Sequence, residues 1–196
     1  MEAAINSKET RIIVVGASGV GKTTLVDALA PRLNLPGIPE IARVVCQERG
    51  IKKLSDIPQG EQEEFKFAVL KRQIEEEEKE KNFLCDRSTL DAWVLWQRWN
   101  ICQAMTYDTE KFYRLAREQA DKYSHILYIP PVFPPPEDGF RWTDPDYQRQ
   151  VDRLVRMTLY EWDLWPSTCT IRSSTPEARV EEALHWLQAT TGRSHE

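Results

Sequence analysis

A chain of 196 residues with 41% hydrophobic residues can bury one sizeable core, which predicts a single α/β domain over 1–196. Its 26 Lys and Arg against 31 Asp and Glu give a net charge of -5, which excludes a general attraction to nucleic acid or anionic membrane, although a local basic cleft stays open. Cys46, Cys85, Cys102 and Cys169 are far apart, and neither a basic-apolar leader nor an apolar run of membrane-spanning length occurs, so no zinc site or redox pair is signalled and a reducing, cytoplasmic setting is expected.

In chain order, residues 11–15 (RIIVV) predict a short buried strand, because Ile12 to Val15 are consecutive, β-branched and run straight into glycine. Residues 22–33 predict a helix with Leu25, Val26, Leu29 and Leu33 at helical spacing. The proline-rich NLPGIPE leads to Glu40, and IARVVCQERG beyond it predicts a helix stopping at Gly50. A further helix is predicted over about 60–80, with Phe67, Leu70 and Ile74 on one face. Its EEEEKEK end is expected to be solvated, pairing Glu75 with Lys79 and Glu77 with Lys81, and no function is assigned to that run. Residues 82–86 predict a strand, about 89–103 a helix, about 109–122 another, and 124–129 (SHILYI) an inner strand. The PPVFPPPEDG segment can continue neither element and predicts a surface loop. Asp144 and Pro145 then open a long helix as cap and first residue, 168–172 predict the last strand, SSTP a loop, and 177–189 the closing helix.

The stretch Gly16-Ala17-Ser18-Gly19-Val20-Gly21-Lys22-Thr23-Thr24 lies between a predicted strand and a predicted helix and matches the full P-loop pattern. Its glycines allow backbone N–H groups to converge on phosphate oxygens at a helix N-terminus. Lys22 is expected to reach the β/γ oxygens of a triphosphate and Thr23 to ligate Mg²⁺. Lysine, threonine and context together argue against a merely structural glycine turn. A phosphate loop does not by itself separate kinases from switches or motors, and neither an N-K-x-D signature nor four apolar residues ending in Asp-Glu occurs.

Residues 83–88 (FLCDRS) end a predicted strand with an acid and an arginine. In an open parallel sheet such an end faces the ligand crevice, so Asp86 is a candidate Mg²⁺ ligand and Arg87 a candidate for the charge on a transferred phosphoryl group. A surface Asp-Arg pair with Ser88 or Thr89 capping the next helix is the alternative. Glu40 suits a general base accepting a hydroxyl proton, and equally an early-turn carboxylate favoured by the helix dipole. Arg141, in EDGFRWTDP, is the candidate arginine of a lid-like segment over 134–150, whereas Arg149, Arg153 and Arg156 fit a solvated helix face. Trp93, Trp96 and Trp99 recur at core-packing spacing, and Trp96, Gln97 and Asn100 are candidates to line an acceptor pocket for a flat ring.

Read as an order of parts (GASGVGKTT, PEIAR, CDRS, HILYIPP, DGFRWTDP, TIRSSTPEARVEEAL), nearly the whole chain resembles the P-loop small-molecule kinases of the deoxynucleoside and thymidylate kinase-like group. That group includes the ribosylnicotinamide kinase domain of bacterial NAD-biosynthesis regulators, and the layout is also similar to a family of uncharacterised AAA-type ATPases. The resemblance implies Glu40 as base, Asp86 near magnesium, Arg87 on phosphate, and Ser174, Thr175 and Pro176 in a loop bordering the nucleotide base. Arg141 stands where those kinases carry several tightly spaced lid arginines, and no acceptor-recognition signature is present. The expectation is a doubly wound P-loop fold, about five parallel strands with helices on both faces, using ATP and Mg²⁺ to phosphorylate a hydroxyl of a small molecule, a nucleoside or ribosylnicotinamide-like acceptor. A nucleoside monophosphate kinase and a regulatory ATPase acting on a protein partner are the alternatives; a polynucleotide end kinase is disfavoured by the acidic balance, and a homodimer stays open as the assembly.

Overall fold

A computed structural model describes residues 9–100, 103–134 and 144–191. The consecutive apolar residues of the first segment form an inner strand, β1 (Arg11–Val15), in which Ile12, Ile13, Val14 and Val15 have no exposed surface, as parallel strands covered on both faces require. Four more strands follow: β2 (Gly37–Ile38), β3 (Phe83–Asp86), β4 (His125–Tyr128) and β5 (Thr168–Thr170). Every pairing is parallel, and the order across the sheet is β2-β3-β1-β4-β5.

Parallel neighbours need crossovers, and these supply the helices α1 (Lys22–Leu33), α2 (Ile41–Glu48), α3 (Gln62–Lys79), α4 (Thr89–Trp99), α5 (Thr106–Ala120), α6 (Pro145–Glu161) and, after the last strand, α7 (Pro176–Thr191). The chain moves from β1 to β2 in one direction along the sheet and from β2 to β3, β4 and β5 in the other. Right-handed crossovers therefore put α1 on one face, where it packs with α7, and the group in which α4 meets α3, α5 and α6 on the other.

Most predicted elements stand where their periodicity put them. Asp144 caps α6 by accepting from the Asp146 N–H at 2.7 Å, with Pro145 as first helical residue. The predicted 89–103 helix stops earlier, at Trp99, and α5 opens at Thr106, ahead of the expected 109. Cys46 and Cys85 are buried and Cys169 half-buried, all as free thiols, while Cys102 lies outside the described residues. Among the described residues no helix is long and apolar enough to cross a membrane.

The acidic end of α3 departs from its expected solvation. Phe65, Leu70, Gln73 and Glu77 form the buried face, and Glu77 has no exposed surface. Its Oε1 accepts from Gln73 Nε2 at 2.8 Å and Tyr123 OH at 2.9 Å, and its Oε2 accepts from Gln119 Nε2 at 2.8 Å. The expected Glu77-Lys81 pairing is not available, because α3 ends at Lys79, whose Nζ donates to Glu76 rather than Glu75. Burial pushes the Glu77 carboxyl up to about 7, against the donors around it.

The turn after β1 is set by close approach. Gly16 has φ +146°, and a Cβ there would lie 2.5 Å from the Ile129 carbonyl oxygen that follows β4. Gly16→Ala is accordingly expected to lower stability by about 2–4 kcal/mol, read from the denaturant midpoint. For Glu77, the unfolded carboxyl releases its proton near its ordinary 4.5 and the folded one only near 7. The folded state then binds more protons across that window, so stability declines as pH rises through it. Thermal melts of Glu77→Gln are expected to lose much of this decline; an unchanged slope would assign it to other groups.

Candidate active site

The register pairs Val14 with Asp86, so the loop after β1 and the residues after β3 meet at the carboxyl end of the sheet. Gly16, Gly19 and Gly21 take φ values of +146°, +77° and +95°, which curl the loop around the Lys22 side chain. No side chain caps α1 and no acid occupies its first turn, so the positive end of the helix faces outward as an anion site needs. Ala17 and Val20 are buried.

Lys22 is 4% exposed, and its Nζ donates to the carbonyl oxygens of Gly16 at 2.9 Å and Ala17 at 2.6 Å. Burial and then the Arg87 charge push its pKa down to about 7, opposed by Asp91, Asp86 and Glu40. Thr23, exposed beside it, donates from Oγ1 to Asp86 Oδ2 at 2.5 Å. This hydroxyl and carboxylate are hard oxygen donors of the kind Mg²⁺ takes in small number, filling the rest of its shell with phosphate and water. Among the described residues no group of three or more His, Cys, Asp and Glu builds a metal cage from protein alone. Thr24, next along α1, is exposed.

Arg87 has the left-handed φ of +79° at a non-glycine position, a conformation costing about 1–3 kcal/mol that its contacts must offset. Its Nε donates to Glu40 Oε1 at 2.7 Å, Nη2 reaches Ser18 Oγ at 3.4 Å, and Nη1 lies 3.6 Å from Asp91 Oδ1. Burial works against the guanidinium charge, yet Glu40, Asp91 and Asp86 together raise its pKa further. Glu40 is the N-cap residue of α2, but its side chain does not cap the helix; it turns to Arg87, and its Oε2 accepts from Arg43 Nε at 3.1 Å. Ser88 donates to Asp91 Oδ2 at 3.1 Å instead of capping α4. The Asp91 Oδ1 has no hydrogen-bond donor, and burial raises the pKa of this carboxyl.

A cleft leads away from this cluster between α2, α3, α4, α5 and α6. Its inner compartment is bounded by Ser18, Glu40, Arg87, Ser88 and Asp91. The outer compartment, about 200 Å³, is bounded by Phe65, Trp99, Phe112, Gln62, Lys66 and Ser55. Ala42, Leu54, Val69, Ala92, Leu95 and Tyr147 line both, so the two form one continuous passage.

Sequence and structure diverge most in the aromatic wall. Trp96 is fully buried, stacked on Phe112 at 4.3 Å between centroids, with Nε1 donating to Thr109 Oγ1; neither Gln97 nor Asn100 lines the cleft. Trp99, one turn on, supplies the wall instead. Arg149 pairs with Asp146 on the exposed side of α6, Arg156 is exposed but reaches back to the buried Asp152, and Arg153 is also exposed. Arg141 and residues 135–143 of the lid-like segment lie outside the described residues. Ser174, Thr175 and Pro176 form the turn into α7, where Thr175 Oγ1 accepts from the Ala178 N–H.

Four contributing residues had little signal. Asp91 could be found by its spacing of four from Arg87 along a helix. Arg43 stood in the quoted PEIAR without a role. Gln148, whose Nε2 donates to the Ser18 carbonyl at 2.9 Å, arrives from α6 with no local pattern. Arg179 arrives from α7 and bridges the Ser173 carbonyl at 2.8 Å and the Val20 carbonyl at 2.6 Å.

No curated protein sequence matches the chain. Among solved structures, NadR protein in complex with NR superposes with a TM-score of 0.75 at 20% identity, covering 96% of this chain and 53% of the NadR chain. This chain therefore spans about half the length of that relative. Deoxyadenosine kinase from M. mycoides with bound dATP gives a TM-score of 0.61 at 12% identity over 91% of this chain and 100% of the other. Shikimate kinase from Acinetobacter baumannii in complex with shikimate gives 0.50 at 16% identity over 95% and 96%. At these identities the likeness is one of fold, that of P-loop kinases of small molecules. A family model described as AAA domain matches residues 11–179, and the chain belongs to that AAA domain family.

Proposed function

We propose that this chain is a phosphotransferase that moves the γ-phosphoryl group of ATP to a hydroxyl of a small molecule with a flat ring, a nucleoside or ribosylnicotinamide-like acceptor. The observation that carries the reading is the position of Glu40. It lines the inner compartment beside Ser18 of the phosphate loop, while the passage beyond it opens onto apolar and aromatic walls. A carboxylate at that junction stands between a nucleotide on the loop and an acceptor in the cleft. The NR of the NadR complex and the dATP of deoxyadenosine kinase are the precedents for a nucleoside-type ligand on this fold.

In this reading the acceptor hydroxyl oxygen attacks the γ-phosphorus, the bond to the leaving ADP oxygen breaks, and the hydroxyl proton passes to Glu40. Lys22 leaves the carbonyl oxygens of Gly16 and Ala17 for the incoming phosphate, whose charge favours its protonated form. Arg87 turns its remaining donors to the transferred group while Glu40 keeps it in place. Thr23 and Asp86 would hold Mg²⁺, which when bound spreads the negative charge of the phosphate oxygens. Arg141 is proposed as the lid contribution, and the 174–176 turn as the border of the nucleotide base. The carboxylates and Arg87 sit at the inner end of the passage and most of the aromatic rings at the outer end, which suits an acceptor with a hydroxyl at one end and a ring at the other.

Incubation with Mg²⁺-ATP and a panel of nucleosides, nucleotides, ribosides and sugars, followed by ADP release and product mass, tests the assignment. One acceptor class is expected to accelerate ADP release and gain a phosphate; acceptor-independent, slow hydrolysis would instead support a regulatory ATPase. Glu40→Gln is expected to lower kcat by about 10²–10⁴ with ATP affinity changed only a few-fold. Transfer at the wild-type rate in that variant would remove Glu40 as the base. Lys22→Ala is expected to lose transfer by more than about 10² while circular dichroism and melting stay native-like.

A further inference from the structure

The outer compartment of the cleft holds one side chain that the phosphoryl-transfer chemistry does not use. Lys66 lines it among Phe65, Trp99 and Phe112, and no Asp, Glu, Arg or His shares that lining among the described residues. Its Nζ reaches Gln62 Oε1 only at 3.5 Å, and it makes no ion pair among the described residues. Gln62 in turn is oriented by donating from Nε2 to the Ile57 carbonyl at 3.0 Å. Burial lowers the Lys66 pKa to about 8, and no acidic side chain lines the compartment among the described residues. Arg98 adds to this imbalance, lying over the rings of Trp99 at 4.9 Å and Tyr147 at 5.6 Å, both of which line the same compartment.

A half-buried cation with no ion-pair partner among the described residues is poorly compensated until an anion arrives, and a charge-assisted hydrogen bond formed inside an apolar compartment is stronger than one in water. The distance along the cleft also matters. On α3, Gln73 lines the inner compartment and Lys66 the outer one, a separation along the helix of about 10 Å at 1.5 Å per residue. That is comparable with the span of a riboside from its primary hydroxyl to the far edge of its ring. An acceptor with its hydroxyl in the inner compartment and its ring in the outer one presents the ring edge on the side lined by Lys66, between aromatic walls suited to a flat ring.

We infer that Lys66 reads a negative charge on the ring end of the acceptor, which makes the preferred substrate a riboside whose flat ring carries a carboxylate. The inference rests on the phosphotransferase reading above for the direction of the acceptor, with its hydroxyl inward and its ring outward. It separates ring-carboxylate ribosides from the corresponding carboxamides, which present no net charge at that edge. It also places the recognised anion at the end opposite the reacting hydroxyl, unlike a monophosphate acceptor, whose anion is itself the nucleophile.

The test pairs two ribosides differing only in ring carboxylate against ring carboxamide, with wild type, Lys66→Met, Lys66→Gln and Lys66→Arg, each variant checked for a native melt. ADP release gives kcat/KM, and quenching of tryptophan fluorescence gives binding without turnover, Trp99 being part of the wall. Wild type is expected to favour the carboxylate by about tenfold or more in both readouts. Lys66→Met and Lys66→Gln are expected to bring the ratio near one, and Lys66→Arg to retain most of it. A wild-type ratio near one, or a preference that survives loss of the charge, overturns the inference. Carboxylate-selective quenching that depends on Lys66 without any phosphorylation would uphold the recognition while removing the phosphotransferase reading. Turnover of some other acceptor with neither riboside bound would do the reverse.

Discussion

The organisation of the candidate site hangs on one buried guanidinium. Arg87 leaves the end of β3 in a backbone conformation that side chains rarely adopt, and from there it touches Glu40 from α2, Ser18 from the phosphate loop and Asp91 from α4. A lysine could not replace it, because its compact ammonium lacks the planar fork that donates to Glu40 and Ser18 at once while lying beside Asp91. The parallel register puts the start of this network within reach: Asp86 lies opposite Val14, and whatever follows Asp86 emerges beside whatever follows Val15. The sheet sets the distance, and the electrostatics then set the orientation.

Around that hub the buried groups are nearly balanced, Glu40, Asp86 and Asp91 facing Lys22 and Arg87. Burial makes such a set costly to leave half-paired and so fixes where each side chain goes. Lys22 is the mobile member. Its Nζ donates to backbone oxygens of its own loop, contacts that a phosphate can replace with stronger ones. The cleft beyond is organised in the opposite way, by apolar walls from five helices with polar groups confined to its ends.

The parts of this arrangement that were legible in the sequence are those written in consecutive residues. The strand RIIVV, the glycine spacing, Asp144-Pro145 and the CDRS end of β3 each carry their signal locally, and the five-stranded parallel sheet follows from their alternation. Arg179, Gln148 and Lys66 were not legible, since each reaches its place through packing of a distant helix. Glu77 misled for a related reason: a charge run looks solvated unless one knows that Gln73, Gln119 and Tyr123 converge on its third member. The tryptophan triplet misled by one turn, because equal spacing along a helix does not say which ring meets the core and which meets the cleft.

The bridge from Arg179 to the Val20 carbonyl spans 159 positions of sequence. During synthesis the amino-terminal strand and helix leave the ribosome long before their carboxyl-terminal clasp exists, so the glycine turn completes its native bonding only when α7 docks against α1. Completion of the glycine turn is in that sense a late event of biogenesis, although the motif itself is made well before the clasp that closes it.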